Sequence, residues 1–127
     1  MENQLKKFRI LHADDTEVIR DVMRKLLEQQ GYTVISARSA EEALSIIKSQ
    51  GVHSFDLVIS DHNMDGLDGV ALFTELFLLD FKGKKALYAN KPSKEVLDMY
   101  KKLGVDLFMY KAISTREMRD QINKLLQ

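Results

Sequence analysis

The amino-acid sequence predicts a doubly wound α/β fold, a five-stranded parallel sheet covered on both sides by five helices. Three observations predict it. Short apolar runs alternate with longer stretches of helical periodicity along the whole chain. One run, Leu57-Val58-Ile59, is apolar throughout, as a strand buried on both faces of a parallel sheet must be. Charged residues stand where three of the runs stop: Asp14-Asp15, Asp61 and Lys111. In an open α/β sheet such strand ends share the carboxyl edge, where ligands bind.

In chain order, residues 8–13 read as the first strand, ending at Asp14-Asp15. From 16 to 30, Val18, Ile19, Val22, Met23, Leu26 and Leu27 recur at helical spacing, and Gly31 closes the helix. Residues 32–37 form the second strand. Ser39 and Glu42 frame a capping box, opening a helix that carries Ala43, Leu44, Ile46 and Ile47. The third strand ends at Asp61, and an unusually apolar helix spans about 69–79. A fourth strand, 85–89, leads to the only proline, Pro92. A helix over 93–103 stops at Gly104, and the fifth strand, 107–110, ends at Lys111. Ser114 and Glu117 open the last helix, with Met118, Ile122, Leu125 and Leu126 on one face. The Phe73, Phe77 and Phe81 series, at four-residue spacing, reads most simply as core, although exposure of Phe77 and Leu78 would mark a contact surface.

Composition narrows the function. Nineteen basic residues balance nineteen acidic ones among 127, which argues against a nucleic-acid module. Cysteine is absent, excluding disulfides and thiolate metal sites. No apolar run is long enough to span a bilayer, and residues 1–4 have no signal-peptide core, so the expected compartment is the cytoplasm, without membrane association. The whole chain, 1–127, reads as one domain.

Two acids, one acid and one lysine at three separate strand ends point to a shared site. Clustered carboxylates repel and raise one another's pKa unless a cation sits among them. All-oxygen ligation suits Mg2+, which takes carboxylates, waters and phosphate oxygens. The lysine supplies a point charge for the same anion. His12 reads as a tolerated strand residue, and His62, beside Asp61, is expected to point away from the site.

At these residues the chain resembles the receiver domain of two-component response regulators, of the chemotaxis-Y-like kind. The resemblance rests on Asp14-Asp15, Gly31-Tyr32, Ala40-Glu41-Glu42-Ala43-Leu44, Asp61-x-x-Met64 with Asp68-Gly69, and the segment from Gly104 to Lys111. It implies a flavodoxin-like sheet of order 2-1-3-4-5 and a signalling protein rather than an enzyme. By position, Asp61 would be the phosphoacceptor. Asp14, Asp15, Asp61 and the backbone carbonyl of Asn63 would hold Mg2+. Lys111 and the backbone N–H of Asn90 would bind the phosphoryl group. The implied donor is a sensor histidine kinase or phosphotransfer protein. The implied output is a downstream protein docking on the face of the fourth helix, fifth strand and fifth helix, with Lys94, Lys101, Phe108 and Arg119. The chain ends soon after that helix, as expected of a stand-alone receiver or a module of a longer chain.

Three positions depart from the family pattern. The fourth strand normally ends in a threonine or serine that binds the phosphoryl group; Ala89 stands there, and a one-residue slip would bring Tyr88. Ala112 replaces the proline that usually follows the lysine, and a cis bond without proline costs about 3 kcal/mol. Asp65 stands where proline is common. The missing hydroxyl leaves room for a degenerate receiver that docks partners without phosphorylation, and leaves the switch role of Phe108 level with an ordinary half-buried strand role. An aspartyl-nucleophile phosphohydrolase ranks far below, because that class carries its D-x-D motif after the first strand. A flavin module ranks low too, since two acids there would repel its phosphate.

Overall fold

All ten elements form, with boundaries within a few residues of those expected. The computed structural model describes residues 7–127, so residues 1–4, read above for a signal core, lie outside it. The order is β1 (Arg9–Ala13), α1 (Glu17–Glu28), β2 (Thr33–Ala37), α2 (Ala40–Gln50), β3 (Leu57–Ser60), α3 (Gly69–Leu78), β4 (Lys84–Ala89), α4 (Lys94–Lys102), β5 (Leu107–Tyr110) and α5 (Thr115–Leu126). The strands make one parallel sheet in the order β2-β1-β3-β4-β5. The order reverses between β1 and β3, which opens a crevice at their carboxyl ends.

Strand alternation divides the core into two layers. Leu11, Val58 and Leu87 pack under Leu72, Phe73, Leu76 and Tyr100, on the side of α2, α3 and α4. Ile10, Leu57, Ile59 and Met109 pack under Met23, Leu27, Met118 and Ile122, on the side of α1 and α5. β3 is buried along its whole length, as its unbroken apolar run requires. Each large aliphatic side chain so enclosed contributes about 1.5–3 kcal/mol.

The expected caps are present. Ser39 Oγ accepts from the Glu42 N–H at 3.0 Å, and Ser114 Oγ from the Glu117 N–H at 3.0 Å. The return bond of the first box goes to the Arg38 N–H, one residue early, at 2.7 Å to Glu42 Oε1. Gly31 and Gly104, with φ of 91° and 81°, lie just past α1 and α4 and take the left-handed backbone that ends them.

Two apolar expectations need correction. Phe73 and Phe81 are core, but Phe77 is 59% exposed, and Leu78 is exposed beside it. The buried stripe of α3 is Gly69, Leu72, Phe73 and Leu76. Phe77 lies about 40° further round the helix than Phe73, beyond its edge. On α1, Met23 and Leu27 are fully buried, whereas Val18 and Val22 are exposed. No peptide bond among the described residues is cis, so Lys111–Ala112 is trans. None of the described helices is long and apolar enough to cross a membrane.

Candidate functional site

The sheet's own hydrogen bonds position the charged residues. The parallel ladder runs one residue past three strands. Asp14 N–H donates to Ala37 O at 3.1 Å, Asp61 N–H to Ala13 O at 3.0 Å, and Lys111 N–H to Ala89 O at 3.0 Å. The backbone is therefore fixed at all three residues before any side chain interacts.

Their side chains converge. Carboxylate oxygens of Asp14, Asp15 and Asp61 lie within 4.8 Å of one another. Lys111 Nζ donates to Asp61 Oδ2 at 2.9 Å and lies 3.1 Å from Asp14 Oδ2. Asp61 Oδ1 accepts from the His62 N–H at 2.7 Å, and Asp14 Oδ1 from the Thr16 N–H at 2.9 Å. Asp14 is fully buried and Asp61 nearly so, whereas Asp15 is exposed at the rim. Three carboxylates thus share one ammonium, with the Arg20 guanidinium nearby, donating to the Asp14 carbonyl at 2.8 Å.

The electrostatics follow. Burial pushes the Asp14 carboxyl above its usual range and the charge of Asp61 adds to this, while the Thr16 N–H and Lys111 oppose it. For Lys111, burial pulls downward, but the hydrogen bond to Asp61 and the charges of Asp14 and Asp61 outweigh it, so the ammonium is held above its usual value. Asp14 Oδ2 is buried, and its charged contact is the ion pair with Lys111 at 3.1 Å. Three carboxylates gathered around a single ammonium, one of them fully buried, are an all-oxygen donor set that fits a hard divalent cation.

The remaining sequence-singled residues surround this centre. Asn63 is exposed in the loop two residues beyond Asp61. Ala89 is buried at the end of β4, in the core layer of α2, α3 and α4, and exposed Asn90 follows it. Phe108 is half-buried against the same layer. Lys94 and Lys101 are exposed on α4, and Arg119 is half-buried on α5.

Two tyrosines complete the surroundings: Tyr88, whose side-chain direction the sequence left open, and Tyr100, which it did not single out. Tyr88 lies in the opposite layer from Ala89, and its ring centroid stands 5.8 Å from Lys111 Nζ. It lines a groove of about 270 Å³ with Val18, Ile19, Val22, Met23, Lys111 and Met118. The second neighbour is Tyr100 of α4, fully buried, whose hydroxyl shares a 2.5 Å hydrogen bond with His62 Nδ1. His62 thus does turn from the acid cluster, as expected, but toward a specific partner. Burial, then the charges of Asp68 and Asp61, hold the Tyr100 phenol above its usual pKa, opposed by the Val70 N–H. The phenol keeps its proton and can donate it to the imidazole.

A family model described as "Response regulator receiver domain" matches residues 10–123. The chain is 31% identical over its whole length to the probable transcriptional regulator ycf27 of Cyanidium caldarium, of which it covers 50%. It is 25% identical to sporulation initiation phosphotransferase F of Bacillus subtilis, with 93% of each chain covered. Of several curated relatives it spans half the length or less. Among solved structures, a CheY-like receiver domain protein from Methanospirillum hungatei superposes with a TM-score of 0.87 at 27% identity, covering 95% of this chain and 94% of that one. Together with the five-stranded 2-1-3-4-5 sheet, these likenesses establish that the chain belongs to the response regulator receiver domain family of two-component phosphorelay signalling.

Proposed function

We propose that residues 1–127 are a single receiver domain in which Asp61 accepts a phosphoryl group from a phosphohistidine on a sensor histidine kinase or phosphotransfer protein. The observation that carries this reading is the Lys111 ammonium, bonded to Asp61 and ion-paired with Asp14 beside three gathered carboxylates. An Asp61 carboxylate oxygen attacks phosphorus, the P–N bond breaks, and its electron pair returns to the donor imidazole. Lys111 holds the Asp61 carboxylate in place and then meets the equatorial phosphoryl oxygens. The N–H of Asn90, just past β4, is a further donor for them.

Asp14, Asp15, Asp61 and the Asn63 carbonyl would hold Mg2+, which supplies charge neutralisation when bound. The donor protein would approach over the rim at Asp15, where exposed Val18 and Val22 offer it apolar contact. The downstream partner would read the face of α4, β5 and α5, including Lys94, Lys101, Phe108 and Arg119. The role is that of a signalling acceptor in the cytoplasm, not of an enzyme acting on external substrates.

A second reading, a docking module that needs no phosphorylation, is favoured by one feature: Ala89 offers no hydroxyl where the family has one. Intact-mass measurement after incubation with acetyl phosphate and magnesium separates the two. The proposal expects an added mass of about 80 Da, one phosphoryl unit, that is absent from Asp61→Asn and from chelated samples. An unmodified wild type, under conditions that modify an ordinary receiver, leaves the docking module.

A further inference from the structure

Asp61 is connected to α4 by a continuous set of short contacts. Its Oδ1 accepts from the His62 N–H at 2.7 Å, and the His62 imidazole bonds the Tyr100 hydroxyl through Nδ1. The two rings meet edge to face with centroids 5.5 Å apart, and Tyr100 meets Phe73 of α3 the same way at 6.0 Å. The His62 carbonyl accepts from the Gly69 N–H at 3.0 Å, which closes the loop between them. The lack of a side chain at Gly69 is essential here, because a Cβ would lie 2.5 Å from both the Asp61 carbonyl oxygen and the Tyr100 hydroxyl. The neighbouring route through the end of β4 has no side-chain donor, because that residue is Ala89.

Tyr100 also dominates the seating of its own helix. It is the one fully enclosed residue of α4; Val96 and Leu97 are half-buried, and the rest are exposed. A displacement of its ring therefore displaces the helix that bears Lys94 and Lys101.

We infer that Asp61 is coupled to α4 through His62 and Tyr100, so that a change in the Asp61 carboxylate moves the His62 peptide, and the imidazole–phenol bond passes that movement to α4. The inference rests on the acceptor role proposed for Asp61. Esterification by a phosphoryl group removes the carboxylate charge that holds the His62 N–H, which weakens the first bond of the series. The imidazole then shifts, and Tyr100, bonded to it through Nδ1, follows.

Amide NMR with beryllofluoride and magnesium tests the coupling, with the bound fluorine signal measuring adduct uptake separately. Tyr100→Phe removes the hydroxyl and keeps the ring. His62→Phe, at a half-buried position, keeps the edge-to-face contact and removes Nδ1. In the wild type, amides across α4 are expected to shift on adduct formation. In both variants the fluorine signal and the shifts around Asp14 should persist, while the α4 shifts are largely lost. A purely structural role for the pair would lower the melting temperature and leave the α4 response intact, and that result overturns the coupling. Failure of the wild type to bind the adduct would appear as a missing fluorine signal, which overturns the acceptor role and the coupling with it.

Discussion

His12 lies in β1, with Ser36 and Ile59 as its register partners on either side, and is fully buried with neither ring nitrogen hydrogen-bonded. Burial first, then the charges of Lys111 and Arg20, lower its pKa from 6.5 to about 3. In that window the folded chain holds fewer protons than the unfolded one. The resulting stability is fully present above pH 6.5 and is lost as the pH falls toward 3, at about 1.4 kcal/mol per unit. Between pH 7 and pH 5, in chelator, the wild type should lose roughly 2 kcal/mol more than His12→Leu in urea titrations. At pH 7 the variant should be as stable as the wild type or more so, because it removes two unsatisfied buried nitrogens. Equal acid losses in the two proteins would contradict this account. At Ala89, threonine restores a hydroxyl beside the acceptor. Such a charge-assisted bond is worth roughly 1.5–3 kcal/mol, so Ala89→Thr should enlarge the amide shifts around Phe108 on adduct formation; unchanged shifts would count against it. The acid cluster was legible in the sequence because strand ends of a parallel sheet share an edge. The His62–Tyr100 pair was not, since its partners lie 38 residues apart and only packing brings them together.

At the scale of elements, capping chemistry separates α1 from α2. Ser39 bonds the Glu42 N–H, whereas Thr16, at the same position before α1, makes no side-chain cap. The Thr16 N–H is instead held by Asp14. Ser39→Ala should therefore cost about 1 kcal/mol in urea unfolding, and Thr16→Ala less than about 0.5 kcal/mol. Comparable losses would show that the cap bonds are not what separates the two helix starts. Ser-x-x-Glu announced α2 and α5 in the sequence, and apolar periodicity announced the helices themselves. Periodicity placed Phe77 wrongly because helical spacing gives a face but not its width. The α3 stripe ends at Leu76, and the chain then turns at Asp80, with φ of 58°, before Phe81 returns to the core.

At the scale of the molecule, the sheet gathers three carboxylates from β1 and β3 around one lysine from β5, and the whole fold bears their repulsion. A cation that binds only the folded arrangement should stabilise it by mass action, by about 1.4 kcal/mol when free magnesium is about ten times Kd. Millimolar magnesium should accordingly raise the wild-type melting temperature, and Asp15→Asn, altering only an exposed acid, should remove most of that gain. The same magnesium-independent temperature in both proteins would mean that the acids do not act as one site. The central claim is that Asp61 itself carries the phosphoryl group. Borohydride reduces an acyl phosphate to an alcohol, converting a phosphorylated aspartate to homoserine while free carboxylates are untouched. After treatment with phosphodonor, magnesium and then borohydride, peptide mapping should find homoserine at position 61 and aspartate retained at 14 and 15. Homoserine at another position, or nowhere in a sample that gained phosphoryl mass, would contradict the account.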